Sequence, residues 1–275
     1  MSQNLPEWRS LSHWTDEFSP MSDGSEKKRA SAASFGEAAD AYLHSSVHRA
    51  GADLELLASW CRDATDVLDV ATGAGHTAGA VANEGVPNVV AVDAAASMVS
   101  TATNAFEGLT GVVADAERLP FQAEAFDAVT CRIAAHHFPD PAAFVSEVAR
   151  VVRPGGTFAF EDNVAPDDPD LGAFIDRVER LRDPTHVAAH PTAQWHGWMT
   201  EHGLAVEETS HLKRTLEFDA WTEAQALDPT RTQQVERVLA GAPPDAASFF
   251  EIRQEPGSVQ SFANLKAVIR ARRVE

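Results

Sequence analysis

Five short runs of apolar residues alternate with helical segments in the middle of the chain. The runs are VLDVA at 67–71, NVVAV at 88–92, GVVA at 111–114, FDAVTC at 126–131 and GTFAFED at 156–162. Their apolar character is continuous, which is typical of strands that are covered on both faces. Strands and helices that alternate at this spacing form right-handed βαβ units. The sequence therefore predicts an α/β fold with a doubly wound, mostly parallel sheet.

The segments after residue 162 complete this architecture. VEETSHLKRTLEF at 206–218 and SVQSFANLKAVIRAR at 258–272 predict two more strands, so that the sheet has seven. Between them and the fifth strand, 165–203 contains a loop rich in Pro and Asp followed by two helical stretches, and we expect it to be a small helical cap. Residues 1–34 lack sustained periodicity and predict a variable arm that precedes a domain at 35–275.

Composition excludes several classes of protein. The 275 residues carry 22 basic and 41 acidic side chains, a net charge of −19, and so negative a surface argues against nucleic-acid binding. Scarce lysine and strong acidity favour adaptation to a high-salt cytoplasm over ordinary acidic solubility. No Cys/His cluster or HExxH motif predicts a metal site. No apolar run has the length of a membrane span, and no signal peptide is recognisable, so we expect a cytoplasmic protein. The oligomeric state stays open.

Acidic and glycine residues stand where three of the predicted strands end. Asp69-Val-Ala-Thr-Gly73-Ala-Gly75-His-Thr-Ala follows the first strand, Asp93 follows the second, and Asp115-Ala116 follows the third. In doubly wound sheets, ligands bind outside the carboxyl ends of the strands. A GxGxxA pattern with an acid 20 residues later is also compatible with a nicotinamide dinucleotide. However, in a dinucleotide site the negative charge of Asp69 would face the phosphates and repel them. A ligand with positively charged ammonium and sulfonium groups would instead be attracted by this carboxylate.

The chain resembles a known family at these motifs. VLDVATGAGHTA, VVAVD, GVVADAERLPF, FDAVTCRIAAHHF and EVARVVRPGG are similar to successive motifs of class I S-adenosylmethionine-dependent methyltransferases, in particular the ubiquinone/menaquinone-biosynthesis branch. The resemblance implies a Rossmann-like methyltransferase fold that binds S-adenosylmethionine. It implies that Asp93 accepts from both ribose hydroxyls and that Asp115 accepts from the adenine amino group. The full set of cofactor-binding residues that it implies is Asp69, Ala71, Thr72, Gly73, Gly75, Asp93, Ala94, Met98, Asp115, Ala116 and Arg132.

The remaining polar residues at strand ends concern the methyl acceptor. His136 and His137 follow the fourth strand and are the candidate catalytic residues, with His137 favoured as the one near the substrate. An unperturbed imidazole has a pKa of about 6.5, which suits a proton acceptor, while the alternative is a packing role for both rings. The candidate substrate-binding residues are Tyr42, Asp162, Asn163 and Arg182.

Three functions are compatible with this pattern. The leading hypothesis is methyl transfer to a small-molecule acceptor, for which analogy with the family suggests a quinol-like ring. The second is a regulator that binds S-adenosylmethionine or S-adenosylhomocysteine without catalysis, and the third is a nicotinamide-dependent oxidoreductase. The sequence does not identify the acceptor or the type of atom that is methylated.

Overall fold

The computed structural model describes residues 23–37, 39–44 and 49–275. Most of the predicted arm therefore lies outside the described residues. The helices within them are α1 (Asp23–Glu37), α2 (Ala39–His44), α3 (Ala52–Trp60), α4 (His76–Asn83), α5 (Ala96–Ala105), α6 (Pro141–Val151), α7 (Pro169–Arg182), α8 (Thr192–Glu201), α9 (Phe218–Glu223), α10 (Pro229–Ala240) and α11 (Pro244–Phe249). The strands are β1 (Asp66–Val70), β2 (Asn88–Asp93), β3 (Leu109–Val113), β4 (Phe126–Arg132), β5 (Val152–Ala165), β6 (His190–Pro191), β7 (Leu204–Glu217), β8 (Arg253–Glu255) and β9 (Ser258–Arg273).

The central sheet has the strand order β3-β2-β1-β4-β5-β9-β7. The pairs among β1 to β5 are parallel, and β9 runs antiparallel to both β5 and β7. Two short strands lie off this path, where β6 pairs with β5 and β8 pairs with β9. This arrangement confirms the predicted α/β fold with a mostly parallel sheet. Strand order reverses beside β1, so the carboxyl ends of β1, β2 and β4 form the crevice where ligands bind in such folds.

Aspartate followed by proline begins three of the helices. Asp140 accepts a hydrogen bond from the backbone N–H of Ala143, and its neighbour Pro141 occupies the first position of α6. The same Asp-Pro pair begins α7 at Asp168 and α10 at Asp228. A side-chain acceptor at the N-cap satisfies backbone donors that the helix leaves unpaired, and proline has no donor to lose there. The sequence thereby fixes where each of these helices begins.

Apolar clusters cover both faces of the sheet. On one face α6 and α8 pack against the strands, and Phe144, Trp195 and Met199 are almost fully buried. On the other face α3 and α4 contribute Leu57 and Val81. Burial on both faces explains why the strands read as continuous apolar runs in the sequence.

The two helices predicted to form the cap pack in different places. Helix α8 belongs to the cluster on the sheet, as its buried Trp195 shows. Helix α7 instead packs with α9, α10, α11 and the start of β9 in a separate cluster that includes Val178, Trp221 and Phe262. The boundaries 165–203 stay a prediction, and we propose that the cap comprises α7 together with α9 to α11. Within the described residues, no helix combines the length and the apolar character needed to cross a membrane.

Candidate active site

A cavity of about 500 Å³ lies at the carboxyl ends of β1 to β4. This volume is in the range of roughly 300–1,000 Å³ that small-molecule and cofactor sites occupy. The cavity has two ends that differ in construction. We call the part lined by Thr72, Gly73, Asp93, Asp115 and Ala116 the turn end, and the part lined by Phe35, Tyr42 and His137 the histidine end.

The loop after β1 approaches the cavity through its backbone. Gly73 has φ +53°, and a Cβ added there would meet nothing within 4 Å, so the space beside it is open to a ligand. Ala71 also has a positive φ, +54°, which costs energy for a residue with a side chain and often marks a functional site. Gly75 does not line the cavity. A Cβ on Gly75 would lie 2.7 Å from the Cβ of Ala102 on α5, so this glycine permits close packing of that helix.

Asp69 lies beneath this loop and not in the cavity. The side chain is almost fully buried, and it accepts hydrogen bonds of 2.6 Å from the hydroxyls of Thr72 and Thr130. Burial raises the pKa of Asp69 to about 6, although the two threonine hydroxyls favour the charged form. Asp69 therefore supports the turn that presents Thr72 and Gly73.

Asp93, at the end of β2, connects two backbone turns at the turn end. One carboxylate oxygen accepts from the N–H of Gly73 and the other from the N–H of Ala95, both at 2.9 Å. Burial raises the pKa of Asp93, and these backbone N–H groups oppose the shift. Each carboxylate oxygen can accept a second hydrogen bond. The half-buried side chain can therefore bind two hydroxyl groups of a ligand without losing its backbone partners.

Asp115 shares its carboxylate with helix α1. Its Oδ1 accepts from the N–H of Glu117, and its Oδ2 lies 2.6 Å from Nζ of Lys28. Lys28 also pairs with Glu117 at 2.5 Å. Burial lowers the pKa of Lys28, but its bonds to the two carboxylates outweigh burial and raise it. Helix α1 is thereby attached to the loop after β3 and lines one side of the cavity.

Arg132 lines the cavity from the end of β4 and is held by two buried carboxylates. Its Nη2 lies 2.5 Å from Asp53, and its Nε lies 2.7 Å from Glu161. Glu161 also pairs with the buried Lys266 at 2.5 Å. Ile133, the next residue in the chain, has φ +53°, which is unusual for a β-branched side chain. The ion pairs and the strained backbone together fix the direction in which the chain leaves β4.

His136 is buried beside the cavity and paired with Asp162. One oxygen of Asp162 accepts from the backbone N–H of His136 at 2.8 Å, and the other lies 2.6 Å from Nδ1 of the ring. Burial lowers the pKa of His136, but the charge of Asp162 and this hydrogen bond outweigh it, and the pKa is raised. Burial raises the pKa of Asp162, but the charge of His136 and its hydrogen bonds outweigh burial, and the pKa is lowered. Both shifts favour an ion pair between the imidazolium of His136 and the carboxylate of Asp162.

His137 lines the cavity and contacts a different set of groups. Its Nδ1 lies 3.1 Å from the hydroxyl of Thr185, which donates to Oδ1 of Asp183 at 2.6 Å. The ring of Phe35 packs edge-on against it, with the centroids 4.7 Å apart. Burial and the nearby charge of His136 lower the pKa of His137 to about 3. The pKa values of the two neighbouring histidines are therefore shifted in opposite directions, and His137 is neutral at neutral pH.

Tyr42 and Gln225 connect the histidine end to the cap. The side-chain amide of Gln225 donates to Oδ2 of Asp183 at 2.9 Å and approaches the hydroxyl of Tyr42 at 3.4 Å. Burial raises the pKa of Tyr42. The loop at 183–187 is further held because the N–H of Val187 donates to the carbonyl of His136.

The structure brings most of the predicted residues together and places others elsewhere. Those that line the cavity are Tyr42, Ala71, Thr72, Gly73, Asp93, Ala94, Met98, Asp115, Ala116, Arg132 and His137. Asp69, Gly75, His136 and Asp162 lie behind the lining. Asn163 lies within β5, which continues to Ala165, and is paired with Lys266 of β9. Arg182 lies over the ring of Trp221 in the cap, with 4.6 Å between its guanidinium carbon and the ring centroid. The roles assigned to these residues stay predictions.

Several residues of the site are not among those that the sequence predicts. Lys28 lies on α1 within the predicted variable arm at 1–34, and Phe35 directly follows that arm on the same helix. Thr185 and Gln225 reach the site through hydrogen bonds between segments 48 or more residues apart in sequence. Within the described residues no group of three or more His, Cys, Asp or Glu side chains is arranged to hold a metal ion.

Comparison with known proteins agrees with this geometry. The family described as "Methyltransferase domain" matches residues 68–160. The chain is 35% identical over 243 residues to the uncharacterized methyltransferase YcgJ of Bacillus subtilis, which covers 86% of this chain and 95% of that protein. A shorter stretch, 36% of this chain and 41% of the other, is 37% identical to demethylmenaquinone methyltransferase of Beutenbergia cavernae.

Solved structures show the same fold. The crystal structure of YcgJ superimposes with a TM-score of 0.77 at 33% identity, covering 81% of this chain and 98% of that one. The Bacillus halodurans protein BH2331 superimposes with a TM-score of 0.75 at 35% identity, covering 80% and 99%. Both relatives are matched over almost their whole length at this identity, so the similarity extends across the domain and not only its sheet. The chain belongs to the class I methyltransferases, a family whose methyl donor is S-adenosylmethionine.

Proposed function

We propose that this protein binds S-adenosylmethionine in the cavity at the carboxyl ends of β1 to β4 and methylates a small molecule at the histidine end. The observation that carries the proposal is a single cavity lined both by the turns after β1, β2 and β3 and by His137. The turn end offers the groups that an adenosyl moiety requires. The histidine end offers a neutral polar group among aromatic rings.

The residues of the turn end fit the cofactor. The open space beside Gly73 leaves room for a ligand close to the backbone. Asp93 keeps acceptor capacity for two ribose hydroxyls after its two backbone bonds, and hydrogen bonds to a charged acceptor are the stronger kind. Ala94 and Met98 line the cavity and supply an apolar surface for adenine. When bound, S-adenosylmethionine supplies a methyl group on a positively charged sulfur.

The protein's contribution at the histidine end is to orient the acceptor and exclude water. His137 is neutral at cytoplasmic pH, so its ring can accept a hydrogen bond from an acceptor hydroxyl. A pKa of about 3 also makes it a weak base, since a proton acceptor is most effective when its pKa is near the working pH. We therefore assign His137 to orientation of the acceptor, in place of the proton uptake that the unperturbed imidazole pKa suggested.

We propose a neutral, hydroxylated aromatic ring as the acceptor. Phe35 and Tyr42 line the histidine end and offer edges and faces for a flat ring. Two of the cationic side chains that line the cavity, Arg132 and Lys28, are already paired with carboxylates, which disfavours a strongly anionic acceptor. The similarity to a demethylmenaquinone methyltransferase over part of the chain also supports a quinol-like ring.

Calorimetry with S-adenosylhomocysteine, followed by transfer of a labelled methyl group to a panel of phenols and quinols, tests the proposal. We expect binding of S-adenosylhomocysteine, no competition by NADH, and labelled product from at least one hydroxylated ring. Binding without any product across the panel would favour a non-catalytic regulator. Absence of binding would overturn the placement of the cofactor.

A further inference from the structure

The hydroxyl of Thr185 stands between an imidazole and a carboxylate at the histidine end. It lies 3.1 Å from Nδ1 of His137 and 2.6 Å from Oδ1 of Asp183, and it has one proton to donate. An ionised carboxylate has no proton, so it can only accept. The hydroxyl proton of Thr185 must therefore point toward Asp183, and the side of its oxygen that faces His137 carries a lone pair.

Asp183 is held in this accepting state by all of its partners. Its Oδ1 also accepts from the backbone N–H of Thr185 at 2.8 Å, and its Oδ2 accepts from Gln225 at 2.9 Å. Burial raises the pKa of Asp183, while the side-chain and backbone hydrogen bonds from Thr185 and the charge of Arg182 lower it. The backbone N–H of Thr185 and the amide of Gln225 are donors that favour the ionised carboxylate, which can only accept from the hydroxyl of Thr185.

These bonds determine which nitrogen of His137 carries the proton. A lone pair on Thr185 requires a donor, so Nδ1 of the neutral ring is protonated. Nε2 is then the bare nitrogen of the ring. His137 lines the cavity, so Nε2 is the atom of the ring that can accept a hydrogen bond from a ligand there.

We propose that Asp183 and Thr185 are positioning residues that fix His137 as the Nδ1–H tautomer, so that bare Nε2 selects an acceptor carrying a hydroxyl. This inference rests on the proposed function for the identity of the site and deepens it by naming the acceptor's hydrogen-bonding group. An acceptor whose oxygen is already methylated has no proton for Nε2 and would not be oriented in the same way.

Nitrogen NMR of the full chain with labelled histidine tests the tautomer without any cofactor. Long-range proton–nitrogen correlations separate a protonated nitrogen from a bare one, and His137→Gln identifies the resonances of His137. We expect a protonated Nδ1 and a bare Nε2 in the parent. We expect Thr185→Val to lose this preference and Thr185→Ser, which keeps the hydroxyl, to retain it. Thr209→Val, which removes the hydroxyl that contacts His196 at 3.0 Å, is the matched control and should leave His137 unchanged.

A second arm tests the hydroxyl preference in the protein loaded with S-adenosylhomocysteine. 4-Methylphenol should shift the Nε2 resonance of His137, whereas 4-methylanisole at the same concentration should not. Once an acceptor is known, Thr185→Val should lower turnover by about 10-fold to 100-fold with cofactor affinity unchanged. This loss is part of the rate enhancement that a positioned imidazole contributes.

Two sets of outcomes are distinguishable. A protonated Nε2 in the parent, an unchanged His137 in Thr185→Val, or equal shifts from the phenol and the anisole would overturn the inference. If S-adenosylhomocysteine does not bind, the proposed function fails, but the tautomer in the unliganded protein still decides the role of Asp183 and Thr185.

Discussion

The two ends of the cavity are built in different ways. The turn end consists of residues that directly follow β1, β2 and β3, and its polar side chains are supported by backbone N–H groups, as Asp93 is by Gly73 and Ala95. The histidine end is assembled from side chains that come from α1, α2, the end of β4 and the loop at 183–187. Proteins that share this sheet can therefore keep the same turn end while the side chains of the histidine end differ between them. This difference explains why the family fixes the methyl donor more closely than the acceptor.

The largest effect is expected on cofactor affinity when Asp93 of the turn end is replaced. Asp93→Ala should cost about 2–4 kcal/mol of S-adenosylhomocysteine affinity, because it removes hydrogen bonds from two ribose hydroxyls to a charged acceptor. Calorimetry measures this change. The control is Asp63→Ala. Asp63 is an exposed acid just before β1, at the amino ends of the strands and away from the cavity, so this variant should bind as the parent does. Parent-like affinity in Asp93→Ala would remove the distinction between the ends.

A smaller effect, on stability, is expected at Asp162, which pairs with His136 behind the histidine end. Asp162→Asn should lower the free energy of unfolding by about 1–3 kcal/mol, since the buried His136 loses its charged partner. Chemical denaturation measures the change, and the affinity for S-adenosylhomocysteine should stay close to that of the parent. A large loss of affinity with unchanged stability would instead place Asp162 among the ligand-binding residues.

The same pair predicts a pH dependence of stability. The folded pKa of His136 is raised above 6.5, so its contribution is present below pH 6.5 and is lost as the pH rises through the folded pKa. The folded pKa of Asp162 is lowered below 3.8, so its contribution is present above pH 3.8 and is lost as the pH falls through the folded pKa. The difference in stability between the parent and Asp162→Asn should therefore be greatest between these two values. A difference that is flat with pH would exclude the ion pair.

Asp115 should contribute less to cofactor binding than Asp93. Asp115→Ala removes one bond to a neutral adenine amino group, and we expect a loss of about 0.5–1.5 kcal/mol of affinity by calorimetry. Asp115 also holds Lys28, so Lys28→Met serves as the control that removes the ion pairs of Lys28 with Asp115 and Glu117 and keeps the carboxylate of Asp115. An equal loss of affinity in both variants would assign the effect to α1 and not to adenine.

The smallest effect is expected for the attachment of α1 itself. Lys28 is partly exposed and pairs with Asp115 and Glu117, and such pairs contribute about 0–1 kcal/mol. Lys28→Met should therefore change the midpoint of thermal unfolding only slightly, and the change should shrink further at high salt. A destabilisation well above this range would show that α1 is an integral part of the domain.

The sequence predicted the turn end better than the histidine end for a physical reason. Strand ends are local features, so Asp93 and Asp115 could be placed by reading where each apolar run stops. Tertiary hydrogen bonds have no such signature, and nothing near Thr185 or Gln225 indicated their partners. Arg182 packs on Trp221, which lies outside the predicted cap, so the sequence did not indicate this contact; the role of Arg182 in substrate binding stays a prediction.

The extent of β5 was also underestimated. The apolar run ends at residue 162, but pairing with β9 continues the strand to Ala165 and buries Asp162 beside His136. Asp162 lies within the strand, three residues before its end, and an apolar pattern alone cannot show a charge that is neutralised by a partner 26 residues away.

A crystal structure with S-adenosylhomocysteine bound tests the central claim most directly. The account predicts that the ribose hydroxyls contact Asp93, that adenine lies beside Asp115 and Ala116, and that the sulfur points toward His137. A ligand bound outside this cavity, or one whose adenine lies beside His137, would contradict the account.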